Sequence, residues 1–374
     1  MKRPASASHP KHTNIGVVGL GIIGSRIAAH LRRKGFPVYV WNRSPRPVPN
    51  FVGSLPELAE LCNCIQIFVS DDTALLQTAE QLNEKLTPRH VVLAHSTVAP
   101  DSMRAAAEIV ERRGSRFLEA TFTGSKGAAE KGELVYYVGG TEEALREGRP
   151  ILEATSKEIV YIGAVGQASA IKIATNMVTA ATVEAAAEAL ALIQSQGLPL
   201  EKFVEAMRAN ASYSGTLAMK LPRMLDRDFQ PHFSVKHMLK DVEIASQMAL
   251  PHFLDLRVTA AAREQLVEQM QWGHGEEDYS AVLRKYLYEP ASALYEEPQS
   301  EEQHQEVASD AEEPITPSAK SDTQSVAPQQ TALVGSQKSL LNPSGAVNAS
   351  AAAITPARPG LLKQLLGRFS SRKE

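Results

Sequence analysis

The chain has 374 residues, 43% of them hydrophobic, and a formal net charge of -3. That is more chain than one ordinary domain needs, with a globular composition and a charge balance that excludes a general affinity for nucleic acid or anionic membranes. Its two cysteines, Cys62 and Cys64, form a lone C-x-C; this is neither a disulfide framework nor a metal-ligand set, so no metal is expected and a reducing, cytoplasmic setting is.

Residues 1–13 are polar and basic without an apolar core, and read as a flexible arm rather than a signal peptide. No uninterrupted apolar run reaches transmembrane length. The first strand covers Ile15–Val18 and runs into Gly19-Leu20-Gly21-Ile22-Ile23-Gly24. A helix from about Ile23 to Lys34 stops at Gly35, and a second strand spans Phe36–Trp41. A G-x-G-x-x-G alone says little, but strand, glycines, helix and strand in this order make a dinucleotide-binding βαβ unit. Gly19 permits the tight turn, Gly21 lets the backbone approach a pyrophosphate, and Gly24 lets the helix pack on the strand. The helix N-terminus offers free N–H groups to phosphate.

The end of the second strand selects the cofactor. An acid there would bind the ribose hydroxyls of NAD; this chain has Asn42-Arg43-Ser44. Arg43 can pair with a 2′-phosphate while Asn42 and Ser44 hydrogen-bond it, so the expectation is NADP, with NADPH bound in preference to NADH.

The alternation continues. Ser54 and Glu57 form a capping box that opens a short helix, Cys64–Val69 is a strand, and Asp71 and Asp72 start the next helix as N-terminal caps. His90–Ala94 is a strand, and a helix runs from Pro100 to about Arg113. Further strands fit Phe117–Phe122, Leu134–Val138 and Glu158–Ile162. Strands alternating with helices imply a Rossmann-type, doubly wound and mostly parallel sheet over residues 14–163.

After Gly163 the strand signal stops. From Val165 to Gln196 the chain is alanine-rich and free of proline, then meets Gly197 and Pro199. This predicts one helix, long enough at ~1.5 Å per residue to join two domains. Lys172 and Asn176, four apart, share one face of it. A lysine among apolar neighbours either snorkels past a core face or is held for chemistry. Helices are expected at Leu200–Ala209, Gly215–Leu225, Val235–Met248, His252–Gln271 and Asp278–Leu287, making 164–290 an all-α substrate and dimerisation domain. Residues 291–374 are rich in Pro, Ser, Gln and Glu and are expected to be disordered. Leu361, Leu362, Leu365, Leu366 and Phe369 share a helical face near basic residues, an amphipathic end suited to a partner or membrane surface.

Taken together, these residues resemble the β-hydroxyacid dehydrogenases, which include 3-hydroxyisobutyrate dehydrogenase and the glyoxylate/succinic semialdehyde reductases. The resemblance runs from about Ile15 to Leu287. It rests on the glycine turn, on Ser96-Thr97 with Pro100, and on Glu119-Ala120-Thr121-Phe122-Thr123-Gly124-Ser125. It continues through Gly163 and Gly166 with Lys172 and Asn176, then Lys240-Asp241, and Gly275 with Asp278-Tyr279-Ser280-Ala281. The resemblance implies catalysis by Lys172 and Asn176, substrate binding by Thr123, Gly124, Ser125 and Lys240, and cofactor binding by Thr97 and Lys240 beside the glycine turn. Thr121 and Thr123 depart from the family's usual proline and serine. Thr179 stands where the related 6-phosphogluconate dehydrogenases carry an acid, so oxidative decarboxylation is not expected. Ser125-Lys126-Gly127 resembles the semialdehyde and glyoxylate reductase branch.

The implied reaction interconverts a small hydroxy acid with its semialdehyde or oxo acid, with Lys172 as general acid and base, in a homo-oligomer (a dimer or tetramer). His95, His232 and His237 show no triad or metal pattern and are taken as structural or surface residues. The competing expectation is a catalytically weak NADP-binding adaptor that works through its tail.

Overall fold

The computed structural model describes residues 13–287. The expectations for the basic arm and for the tail after 290 lie outside these residues. Seven strands form one sheet: β1 (Ile15–Val18), β2 (Val38–Trp41), β3 (Cys64–Ile67), β4 (Val91–Ala94), β5 (Arg116–Thr123), β6 (Leu134–Gly140) and β7 (Ser156–Gly163). Their order is β2-β1-β3-β4-β5-β6-β7. All pairs are parallel except β5 with β6. Beyond β2, Val40 forms an isolated parallel bridge to Phe51, through Val40 N–H to the Asn50 carbonyl at 3.0 Å and Val52 N–H to the Val40 carbonyl at 3.0 Å. Counted as a one-residue strand, this bridge restores the Rossmann order, with the switch point between β1 and β3.

Helices cover both faces. They are α1 (Gly24–Arg33), α2 (Leu55–Leu61), α3 (Asp72–Asn83), α4 (Pro100–Glu111), α5 (Lys126–Lys131) and α6 (Glu142–Thr155). Every residue of β1, β3 and β4 is buried, which is why these strands read as apolar runs rather than as alternation. Side chains still alternate by face: Val17, Cys64, Val91 and Leu93 join one core, and Val18, Ile65, Val92 and Ala94 the other. Asp71 caps α3 by accepting from Ala74 N–H at 2.8 Å. Ser54 caps α2, but Glu57 closes the box on Gly53 N–H at 2.8 Å, one residue before the expected Ser54 N–H.

The rest is helical: α7 (Gln167–Ser195), α8 (Leu200–Arg208), α9 (Gly215–Leu225), α10 (Val235–Ala249) and α11 (Arg257–Gln271), with a 3-10 helix at Tyr279–Tyr286. The expected helix at His252–Gln271 starts five residues later, because Leu250–His252 is a separate 3-10 turn and Phe253 takes a left-handed φ of 54°. The expected last helix is 3-10 rather than α. By length and mean hydropathy, 1.3 over its apolar window, α7 could cross a membrane. Part of its apolar surface is used in a core: Ala180, Val183, Ala187 and Leu190 pack with Leu217, Leu221, Met238, Val242 and Leu266 from α9, α10 and α11. Each fully buried aliphatic side chain of this kind contributes about 1.5–3 kcal/mol.

One carboxylate ties α7 to the sheet. Glu119 on β5 is fully buried and accepts from Gly166 N–H at 2.7 Å and Ser169 N–H at 2.5 Å, two of the orphan donors at the start of α7. A Cβ at Gly139, on the paired strand, would come within 2.5 Å of a Glu119 oxygen, so glycine there makes room for the carboxylate. Glu119→Ala leaves both N–H groups buried without an acceptor. The expected loss is about 2–3 kcal/mol, read as a lowered urea midpoint at unchanged slope. A shift below about 0.5 kcal/mol would mean that packing alone holds α7.

Candidate active site

A cavity of about 520 Å³ opens where the carboxyl ends of the parallel strands meet the helical part, within one compact unit. This is the side on which open α/β sheets bind ligands. Its first wall is the glycine turn from Gly21 to Gly24. At Gly19 an added Cβ would strike the Phe68 carbonyl oxygen at 2.1 Å, and at Gly24 the Gly19 carbonyl oxygen at 2.0 Å, so both are required by packing. At Gly21 an added Cβ would meet nothing within 4 Å. Among the described residues, the N–H groups of Gly21, Ile22 and Ile23 have no acceptor. An open glycine face beside unpartnered N–H groups fits a diphosphate, so the cradle suits the dinucleotide that the motif implies.

Of the six turn residues, Gly19 and Leu20 lie behind the cavity surface, whereas Gly21, Ile22, Ile23 and Gly24 line it. Asn42 does not reach outward. Its Oδ1 accepts from Leu20 N–H at 2.9 Å and its Nδ2 donates to the Ser44 carbonyl at 2.9 Å, so it braces the turn. Arg43 and Ser44 are exposed beyond β2, outside the cavity lining.

The second wall comes from loops after the strands. Thr97, Thr123, Gly124 and Ser125 all line the cavity. Ser125 Oγ already accepts from Ala128 N–H at 3.3 Å as the cap of α5, and its O–H remains as a donor. Thr121 is fully buried in β5 and lies outside the lining, so that departure from the family pattern falls in the sheet and not in the pocket. His95, assigned no chemistry from sequence, also lines the cavity. Its ring stacks on Phe68 at 4.3 Å and its Nδ1 bonds the Ala120 carbonyl at 2.7 Å. Burial pushes its pKa down to about 4, against that bond, so it is neutral.

The floor is α7. Lys172 Nζ donates to Asn176 Oδ1 at 3.0 Å, and Asn176 Nδ2 donates to Asp241 Oδ2 at 2.5 Å. Asp241 Oδ1 accepts from Lys240 Nζ at 2.7 Å, and the same ammonium also donates to the Thr97 carbonyl. One chain of hydrogen bonds thus links α7, α10 and the loop after β4. Because Asp241 can only accept, it takes the amide end of Asn176 and turns the carbonyl end toward Lys172. Burial lowers the Lys172 pKa to about 8; the Asp241 charge raises it, and Lys240 opposes Asp241. Sequence reading placed Asp241 in a motif but gave it no task, since its contact with Asn176 spans 65 residues and has no local signature. It also missed Lys220, which lines the helical wall with Thr216, His232, Phe233, His237 and Tyr279.

Comparison with known proteins agrees with this architecture. Residues 14–163 match the family model of the NAD binding domain of 6-phosphogluconate dehydrogenase. Residues 166–286 match that described as NAD-binding of NADP-dependent 3-hydroxyisobutyrate dehydrogenase. The chain is 28% identical over 279 residues to glyoxylate/succinic semialdehyde reductase 1 of Arabidopsis thaliana, covering 72% of this chain and 96% of that protein. It is also 28% identical over 283 residues to the cytokine-like nuclear factor N-PAC of Mus musculus, covering 75% of this chain and 52% of that protein. Among solved structures, Mycobacterium tuberculosis 3-hydroxyisobutyrate dehydrogenase with L-serine shares the fold, with TM-score 0.66 and 23% identity, covering 74% of this chain and 99% of that one.

The network makes a signed prediction. Titration of Lys172, followed by NMR of the selectively methylated side chain, should give a value near 8. Asp241→Asn should move it lower, because Asp241 is the charge that holds it up. A value near 10.5 in the unmutated protein would show that the burial is relieved in solution.

Proposed function

Because the chain belongs to the β-hydroxyacid dehydrogenase family and is an NAD(P)-dependent oxidoreductase acting on CH–OH groups, we propose that it is an NADPH-dependent reductase of a small anionic carbonyl acid. The observation that carries this reading is the Lys172–Asn176–Asp241 chain on the floor of the cavity that the glycine turn enters. A nicotinamide cofactor held by the glycine turn would supply the hydride for the carbonyl carbon. The residues do the rest. The ammonium of Lys172 gives a proton from Nζ to the carbonyl oxygen as negative charge develops there, and the neutral amine takes it back in oxidation. A pKa near 8 leaves both forms available close to neutral pH. Asn176 holds Nζ in line. Thr123 and Ser125 hydroxyls with the Gly124 N–H take the substrate carboxylate, and Lys240 adds positive charge beside them.

Support for NADP comes from Arg43, exposed and without an ion-pair partner among the described residues, and from the family model that names an NADP-dependent enzyme. Glyoxylate and succinic semialdehyde enter as candidate substrates through the Arabidopsis relative. A homo-oligomer is supported by α7, where Ile171, Val178 and Leu192 are 41%, 68% and 62% exposed at heptad-related spacing, an apolar seam suited to a second copy; light scattering should read at least twice the chain mass. Cytoplasmic residence is supported by two buried, free thiols, and imaging of a tagged chain checks it. The N-PAC relative, a nuclear factor by name, supports the second reading of an NADP-binding interaction protein. An intact lysine network favours the enzyme.

Single-turnover hydride transfer at saturating NADPH tests the mechanism. Lys172→Ala should lose about 10²–10⁴-fold in rate with NADPH affinity nearly unchanged. The reductive rate of the unmutated enzyme should fall as pH rises through about 8, where the ammonium is lost. Retention of most of the rate by Lys172→Ala would remove Lys172 as the general acid, whereas no turnover of the unmutated protein across a panel of semialdehydes and 2-oxo acids, with NADPH still bound, would leave the adaptor reading standing. Separately, Arg43→Ala should cut the preference for NADPH over NADH by about ten- to a hundredfold, and an unchanged preference would remove Arg43 as the 2′-phosphate partner.

A further inference from the structure

Lys220 on α9 is 2% exposed and lines the cavity, yet the chemistry above does not use it. Its Nζ donates to Asp278 Oδ1 at 2.6 Å and lies 4.3 Å from the centre of the Tyr279 ring. An ammonium carries three donors, and no other acceptor lies within hydrogen-bond range among the described residues. Asp278 does not depend on this lysine. It also accepts Ser280 N–H and O–H at Oδ1 and the N–H groups of His232 and Phe233 at Oδ2, at 2.7 to 3.3 Å. The pair is therefore asymmetric: the carboxylate is saturated, while the ammonium has bonding capacity left. A buried pair used only for stability would be no better than apolar packing, so a lysine kept here on a cavity wall calls for another reason.

Two further polar groups accompany it. Thr216, four residues earlier on the same face of α9, presents a hydroxyl with no side-chain hydrogen bond among the described residues. His232 lines the same wall, and its buried Nδ1 has no partner among the described residues. Burial, then the charges of Arg223 and Lys220, lower the His232 pKa, so the ring is neutral and can present Nδ1–H. This wall belongs to the helical part, apart from the Thr123–Ser125 loop on the sheet.

We propose that Lys220, Thr216 and His232 form a second polar subsite that takes a terminal carboxylate carried on the chain of the substrate beyond its reacting carbonyl. The subsite rests on the reductase reading and divides its substrates. The carboxylate next to the carbonyl of a two-carbon oxo acid stays on the Thr123–Ser125 loop, whereas the single, distal carboxylate of an acid of about four carbons moves to Lys220, so the subsite selects the longer acids. Lys220 is then a specificity-determining residue, positioned by Asp278.

The test uses the full chain with NADPH and the probes succinic semialdehyde and glyoxylate. Lys220→Met should lower the ratio of their kcat/KM values by about ten- to a hundredfold, through KM for the longer acid. Because that variant leaves Asp278 buried without its counter-charge, Lys220→Met with Asp278→Asn is measured beside it and should show the same lowered ratio. An unchanged ratio in both variants overturns the subsite. Recovery of the ratio in the double variant also overturns it, since the defect then lies in the unpaired Asp278. Calorimetry of 4-hydroxybutyrate against glycolate on the NADP-saturated protein gives a readout without turnover. Tight binding of the longer acid that weakens in both variants supports the subsite even where no hydride is transferred, and in that case the reductase reading alone falls.

Discussion

The fold depends on a single buried carboxylate at the start of a helix. Glu119 projects from β5 and accepts two N–H groups at the N-terminus of α7, where the helix dipole favours negative charge. Burial pushes its pKa up, while the backbone donors of Gly166 and Ser169 counter that shift. Strength here lies in direction as much as in energy. Two hydrogen bonds from one carboxylate fix both the position and the axial rotation of α7 against the sheet. That rotation decides which face of a 29-residue helix meets the cavity. Three residues beyond Ser169, Lys172 is presented to the pocket, and one turn later Asn176.

From that anchor, charge is arranged in alternation. Lys172, Asp241 and Lys240 lie along one hydrogen-bonded chain, and the intervening Asn176 keeps Lys172 from pairing directly with Asp241. A direct ion pair would hold the lysine firmly protonated. An amide spacer lets burial act instead, leaving the ammonium weak enough to release its proton. Two lysines against one carboxylate also leave the pocket net positive, which suits an anionic substrate. The Lys220–Asp278 pair adds no net charge, but it supplies donors at a separate place on the wall.

The two parts meet this requirement by different packing. The sheet buries strands on both faces and so gives a rigid platform whose loops can hold a nucleotide. The helical part has its own core around α7, and its 3-10 segment carries Asp278, which gathers the His232–Phe233 backbone and Lys220. Function thus falls at a junction where each side contributes groups that the other lacks.

Local chemistry is what the amino-acid sequence carried on its own. The glycine turn, the apolar runs of buried strands, the caps at Ser54 and Asp71 and the alanine-rich α7 are each specified by neighbours a few residues apart, so the sheet and the helical half were legible before any coordinates. So was the pairing of Lys172 with Asn176, since four residues make one helical turn. Where local signals misled, tertiary contacts had overruled them. Helix α6, which holds Gly148 and Pro150 and had no reading from the sequence, lies with Gly148 so close to Leu118 that an added Cβ would come within 2.9 Å of it. Asn42, expected to face a phosphate, turns inward because Leu20 N–H needs an acceptor. Only the folded chain brings Asp241 to Asn176, Lys240 to the Thr97 carbonyl and Lys220 to Asp278, across 65, 143 and 58 residues respectively. No spacing rule reaches that far, because such contacts are fixed by how the helices pack and not by the sequence between them.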